Sequence, residues 1–490
     1  MTGTVKTSGT VRPSARHASW LAKACPILCI AILAASPASA ETLRQALASA
    51  YKFNPRLDAE RARLRATDEE VPRAKSGYKP TITGSADISY QRSTTKPASP
   101  ADGETHPKGY GVTATQPIFS GFRTVNSVKA AEATVRAGRE SLRSVEQSVL
   151  LEAVTAYMDV VRDQAIVRLR ENNVSVLTRE LKASQDRFAV GEVTRTDVAQ
   201  AEARRAAAVS ALDLARANLK TSRASYERVI GHPPSNLEEA RPNSQRLPSN
   251  VNEAVSIGSK ESPTVVASLY LEQAARHTVD LIWGELLPTV QLEGDYTKQY
   301  DPSRLTDQAE AVTVTGRMVV PLYEGGEVRA RVRQAKHTHV SRLQEVEQAR
   351  TENQALVVSA WSQLIAARAQ LESDQVQVTA SRTALTGVRE EERVGQRTLL
   401  DVLNAEQELL NGEVQLATTR RNVVVASYNV LSSVGRLSAS DISVTAEVYD
   451  PEVHYNEVRR KWFGISITRP DGRRETHDFW PTQVTREPKK

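Results

Sequence analysis

The sequence predicts a mixed membrane fold: a β-barrel built from four strands per chain and shared between chains, joined to long α-helices that pack as coiled coils. Three observations predict it. The chain is written twice at an offset of 204 residues, each copy holds two segments with strand periodicity, and very long proline-free helical stretches flank those segments. Composition agrees. The 490 residues are only 5% aromatic and 40% hydrophobic, too lean for several ordinary globular cores and suited to something elongated.

The first element, residues 1–40, reads as an export signal. A basic start leads into the apolar run CPILCIAILAA and the small-x-small site Ala38-Ser39-Ala40 before Glu41. The run is too short to span a bilayer as an anchor. Lys6, Arg12, Arg16 and Lys23 lie here without an acid, so they account for four of the six net charges and leave +2 for the rest. With no basic patch interleaved with aromatics, nucleic acid is excluded as a partner. Cys25 and Cys29 also fall here, so the exported chain is expected to hold no disulfide.

The duplication divides the remainder into a first repeat at 41–245, a second at 246–440 and a polar, mobile tail at 441–490. The ungapped offset pairs Pro117 with Pro321, Gly121 with Gly325, Gly191 with Gly395, Asp197 with Asp401, Glu202 with Glu406 and Gly231 with Gly435. A slightly longer offset pairs Pro80 with Pro288 and Asp87 with Asp295. The period is far too long for a solenoid unit.

The strands are expected at 81–91 and in YGVTATQPIF in the first copy, and in the corresponding segments of the second. Ile82, Gly84, Ala86, Ile88 and Tyr90 alternate with polar residues, as do Val290, Leu292, Gly294 and Tyr296. Val112, Ala114 and Ile118, and Val312, Val314, Met318 and Val320, repeat the pattern. A soluble hairpin with one wet face would alternate likewise. The polar connections at 92–109 and 301–310 favour hairpins emerging from a membrane into water, and about ten residues is the length of a tilted spanning strand.

The helices come next. From Arg123 to Ala189 no proline interrupts 67 residues, a helix of about 100 Å. Val128, Val135, Leu142, Val149 and Ala156 recur every seven residues, the spacing of a coiled-coil seam. Shorter Ala-rich helices follow, from Arg195 and after Arg397. Between long and short helix stand VGEVTRTDV (190–198) and VGQRTLLDV (394–402), tight turns in which Gly191 and Gly395 end the preceding helix. Four strands cannot close a barrel in lipid, so several chains must share one.

The phrases QPIFSGF, PLYEGGEVR and the paired VGxxxxxDV turns, with Asn54-Pro55 echoed by Ser262-Pro263, resemble the TolC family of outer-membrane export channels from about Glu41 to Gly435. The segment 449–464 further resembles type I secretion members of that family. The resemblance implies a homotrimer whose twelve-strand barrel sits in outer-membrane lipid and continues as a helical tunnel through the periplasm. It implies a periplasmic adaptor and an inner-membrane exporter, ABC or proton-driven, as partners, and no cofactor. The expected function is an exit duct for type I protein secretion. The alternatives are a duct for drug or toxin efflux and a coiled-coil stalk with a barrel anchor.

The same resemblance assigns sites. Val190, Gly191, Val394 and Gly395 match the turns where the adaptor docks, although the glycines would also serve simply as helix ends. Asp401 matches a constricting acid at the inner mouth, and Arg397, Thr196 and Asp197 match partners that hold that mouth closed. Asn404 stands where a second acidic ring is common and Glu392 replaces a usual tyrosine, so a weaker cation-binding ring is expected, with Arg397 keeping its partners or turning to Glu392. Asp197 and Asp401 would also suit helix starts, and the two roles are compatible. No Gly-rich phosphate loop, HExxH, CxxC or GxSxG motif points to an enzyme.

Overall fold

Local chemistry sets the first turns of the chain. In the computed structural model, which describes residues 40–242, 246–442, 448–468 and 474–475, Thr42 caps helix α1 (Leu43–Phe53) in a reciprocal capping box with Gln45. The expected export signal lies outside the described residues, apart from Ala40. At the Asn54-Pro55 pair the proline opens α2 (Pro55–Asp68), while Asn54 accepts from the Arg56 N–H and donates to the Val229 carbonyl at 3.1 Å. A short α3 (Glu70–Lys75) then leads to the sheet.

Strand β1 (Thr81–Ile88) is followed by a small hairpin of β2 (Gln91–Ser93) and β3 (Gly103–Thr105), and then by β4 (Lys108–Ser120). The first strand therefore ends before Tyr90, and part of the expected loop at 92–109 is itself paired. Helix α4 (Arg123–Ala189) and α5 (Arg195–Ile230) complete the first copy. The second runs through α6 (Val251–Glu261), α7 (Pro263–Trp283), β5 (Thr289–Ser303), β6 (Thr306–Val319), α8 (Glu327–Arg393) and α9 (Leu399–Ser433). Both long helices hold 67 residues. Among the described residues no helix is long and apolar enough to cross a membrane.

The polar loop expected at 301–310 is instead strand up to Ser303 and from Thr306 onward, and Val320 lies beyond β6. Its polar residues misled because the strands continue past the apolar band. With 15 residues, β5 is longer than the roughly ten that a tilted spanning strand needs.

Four strands form one antiparallel sheet in the order β1-β4-β5-β6. Its register sorts the side chains onto two faces. Ile82 stands opposite Ala114, then Gly294, then Val314; Gly84 opposite Val112, Tyr296 and Val312. The intervening rows are polar: Thr81, Thr115, Glu293 and Thr315, then Thr83, Thr113, Asp295 and Thr313. One face is apolar yet exposed, with Ile82 at 71% and Val314 at 71%. Pro117, which lacks a ladder donor, sits at the bulge between β4 and β5.

The main core gathers Leu47 and Tyr51 of α1, Leu57 of α2, Leu150 and Tyr157 of α4, Ile230 of α5 and Leu431 of α9. Of the heptad positions, Val135, Leu142, Val149 and Ala156 are buried, while Val128, nearest the sheet, is half-buried. Away from this core only small clusters join the helices, such as Leu177 with Ala208 and Leu403. The Tyr157 hydroxyl lies 2.7 Å from the carbonyls of both Glu41 and Glu238, tying the start of the chain to the link between copies. The tail is not wholly without structure: Asp450 caps α10 (Pro451–Val458), and β7 (Ile467–Thr468) pairs with β8 (Arg474–Glu475).

Candidate functional site: the paired helical turns

Each turn is built by the same two devices. At the end of α4, Gly191 (φ 81) donates its N–H to the Phe188 carbonyl and Glu192 to that of Arg187, both at 3.0 Å. At the end of α8, Gly395 (φ 79) bonds Glu392 and Gln396 bonds Glu391, both at 2.9 Å. This double closure needs a residue in the left-handed region, which explains the glycine in both copies.

The next helix opens on a capping box. Thr194 caps α5 and Asp197 takes the Thr194 N–H at 2.9 Å; Thr398 caps α9 and Asp401 takes the Thr398 N–H at 3.0 Å. The threonine hydroxyls reach the same carboxylate oxygens at 2.7 and 2.8 Å. Both carboxyls are held below the usual carboxylate range, Asp197 chiefly by the Thr194 hydroxyl and Asp401 chiefly by the Thr398 N–H. The helix-start role of the two aspartates is thus present, in the third helical position rather than at the cap itself.

The other expected residues are placed differently. Arg397 pairs with Glu391 at 2.9 Å, not with Glu392. That contact, and secondarily the nearby Asp401, raises the Arg397 guanidinium further. Glu392 instead receives Arg187 of α4 at 2.7 Å, and Asn404 accepts from Arg204 of α5 at 2.8 Å. Thr196 is exposed, as are Val190 (73%) and Val394 (70%). Open space surrounds Gly191 and Gly395.

At the tips, two bonds therefore cross from one helical hairpin to the other within a single chain. Beneath them Arg389 pairs with the buried Glu406, and Glu180 of α4 lies near enough to feel both. Burial first, and then the Glu406 carboxylate, push the Glu180 carboxyl up. Sequence reasoning missed Arg187, Arg204, Glu391 and Glu180. A signal for the first was available: at the 204 offset Arg187 faces Glu391, so the copies change sign at equivalent tip positions while keeping the turn.

Residues 44–232 and 259–436 match the family model described as outer membrane efflux protein. The chain is 40% identical over 455 residues to the outer membrane efflux protein BepC of Brucella suis, spanning 92% of this chain and 98% of that one. It is 24% identical over 430 residues to the outer membrane protein TolC of Escherichia coli K12, spanning 83% and 85%. In fold it resembles the CmeC outer membrane channel of Campylobacter jejuni, with a TM-score of 0.73 over 85% of this chain and 89% of that one at 15% identity. Proteins of this kind are trimeric channels rather than enzymes, set in the outer membrane and reaching through the periplasm, and they work with adaptor and inner-membrane pump partners. With family matches over both copies and a 40% identical relative along nearly its whole length, the chain belongs to the TolC family of outer-membrane efflux channels.

Proposed function

We propose that three copies of the chain form an exit duct that takes substrates from an inner-membrane exporter and its periplasmic adaptor to the outside. The observation behind this reading is the open sheet. Strands β1 and β6 end it, one face is apolar and exposed, and an open edge cannot stand in lipid, so the four strands need copies on either side.

Within that duct the two turns form the inner mouth. Asp401 contributes one carboxylate per chain to a ring, and like charges around a narrow pore favour cations. Arg397, Thr196 and Asp197 hold the closed state. Asn404 in place of an acid and Glu392 in place of a tyrosine leave the ring weakly charged. Val190, Gly191, Val394 and Gly395 receive the adaptor's helical tips, because glycine lets another helix approach closely.

The cargo is a polypeptide delivered by an ABC exporter, as the resemblance of 449–464 to type I secretion members suggests. A second reading, small toxic molecules, is favoured by the efflux name of the 40% identical relative. Deleting the gene separates the two. Loss of a protein from the medium without new sensitivity to dyes and antibiotics assigns secretion, the reverse assigns efflux, and neither effect overturns the duct.

Planar-bilayer recordings test the mouth. Asp401→Ala should lower cation selectivity and divalent block, and Arg397→Ser with Thr196→Val should raise resting conductance. If both variants behave as wild type, the repeated phrase is only a helix cap. For the adaptor, Gly191→Trp with Gly395→Trp should abolish export with trimer and insertion intact. The Asn variants, which tolerate left-handed backbone, control for strain at the helix ends.

A further inference from the structure

Residues 449–467 run beside the first helices of the chain toward the sheet. Tyr449 donates its N–H to the Tyr51 hydroxyl at 3.0 Å, and its ring faces the guanidinium groups of Arg61 and Arg65. Further on, His454 Nδ1 lies 2.9 Å from Oδ2 of the fully buried Asp68, Glu452 takes Arg139 at 2.9 Å, and Val458 is buried. Beyond α10, Lys79 donates Nζ to the Lys461 carbonyl at 3.0 Å and lies 4.7 Å from the centre of the Trp462 ring. The contacts thus advance from position 51 through 61–68 to 79, two residues before β1 begins.

At that point the tail turns apolar and exposed: Trp462 61%, Phe463 87%, Ile465 64% and Ile467 57%. Single exposed hydrophobes need no explanation, but four within six residues do. The rim of the sheet beside them has the same character. Tyr78 before β1, Phe122 after β4, Trp283 before β5 and Tyr323 after β6 are each more than half exposed. Phe122 even holds a left-handed backbone (φ 61), where its counterpart in the second copy is Gly326 (φ 84). Aromatic rings collect where hydrocarbon meets headgroups, and nearby Lys and Arg attract anionic lipid. Lys79, Arg460 and Lys461 supply those cations.

We propose that residues 459–467 are a membrane-surface anchor. Trp462 and Phe463 sit in the headgroup boundary of the periplasm-facing leaflet of the outer membrane, extending the aromatic rim of the barrel, and α10 fastens this segment to the helices that lead into β1. The partner is an anionic phospholipid surface. The proposal rests on the outer-membrane placement of the family and is independent of cargo, gate and adaptor.

Both cysteines precede residue 40, in the segment expected to be removed on export, and residues 41–490 hold no other thiol. Phe463→Cys and, as control on the exposed face of α10, Val453→Cys are labelled with an environment-sensitive fluorophore. Each trimer is reconstituted in phosphatidylethanolamine–phosphatidylglycerol vesicles, and flotation reports insertion separately. The label at 463 should be blue-shifted, lose most of its emission in brominated lipid and resist aqueous iodide, whereas that at 453 should do the opposite. Replacing phosphatidylglycerol with phosphatidylcholine should weaken the effect. In the unlabelled protein, Trp462→Phe should remove part of the bromolipid quenching of intrinsic tryptophan emission. Equal iodide quenching at 463 and 453 overturns the proposal. So does a blue shift without bromolipid quenching, which would seat the segment on a neighbouring subunit, and so does indifference to lipid charge.

Discussion

Helices α4 and α8 have the same length and descend from the same repeat, yet they are buried to different extents. Nineteen residues of α4 are buried against eleven of α8. The contrast is clearest at two equivalent positions. Val154 is fully buried and Val161 packs on the main core, whereas their counterparts Val358 and Ile365 are 42% and 47% exposed. Val340 and Val376, also exposed, stand five turns either side of Val358 on the same face of α8. Along this face α4 is covered by its own chain, whereas α8 carries an exposed apolar stripe of the kind that another copy would cover.

The largest expected effect breaks this contrast directly. Val358→Asp with Ile365→Asp should leave the helical content of the monomer intact and abolish the trimer in detergent, as read by light scattering. Val154→Asp should instead unfold the chain, because an unpaired charge in a packed core costs about 3–5 kcal/mol. A trimer that survives the double substitution would show that the stripe on α8 is not a subunit seam.

The same comparison explains what the sequence made legible. Proline-free length and the seven-residue repeat placed α4 to the residue, and period-two alternation placed the two faces of the sheet, because both signals are set by what each element packs on. The ends of the strands were not legible. Past the apolar band a strand is solvated on both faces, so 301–310 carries loop-like composition although β5 and β6 pair through it. At the tips, the turn and the helix start were readable from Gly191, Gly395, Asp197 and Asp401, since backbone geometry demands those residue types. The partner of Glu392 was not, because a bond between two hairpins depends on how the hairpins lie together and leaves no local pattern, and Arg397 turns to Glu391 of its own hairpin where its neighbour Glu392 was expected.

A smaller effect is expected where the two copies are bonded to each other. Arg187→Ala with Arg204→Ala removes both bonds that cross from the first hairpin to Glu392 and Asn404. Resting conductance should rise by more than with Arg397→Ser alone, whose bond to Glu391 stays within the second hairpin. Exposed ion pairs are individually worth about 0–1 kcal/mol, so the change should be in gating and not in melting temperature. Glu180→Gln should act in the opposite direction. Its carboxyl is raised by burial and by Glu406, so its ionised form is disfavoured in the closed packing, and this opposition fades as pH falls through the raised value. Wild-type conductance should therefore drop on acidification toward that of the Gln variant, and a Gln variant with unchanged conductance and pH response would remove Glu180 from the gate.

The smallest effect should be one in which the copies do not differ at all. The capping boxes at Thr194 and Thr398 match within 0.1 Å in every bond, and neither depends on burial, which is where α4 and α8 diverge. Thr194→Ala and Thr398→Ala should each cost about 1 kcal/mol of local stability. Hydrogen exchange at the first turns of α5 and α9 measures this, and unequal losses would mean that one box carries load from elsewhere. Acid should mimic the substitution in both places. Because Asp197 and Asp401 have folded pKa values below the unfolded one, their contribution is complete above the unfolded value of about 3.9 and is lost as pH falls through the lower folded value. Exchange at the two helix starts should thus accelerate together below about pH 4, once corrected for the intrinsic rate. Loss at one start alone would show that its aspartate is held by something other than its own threonine.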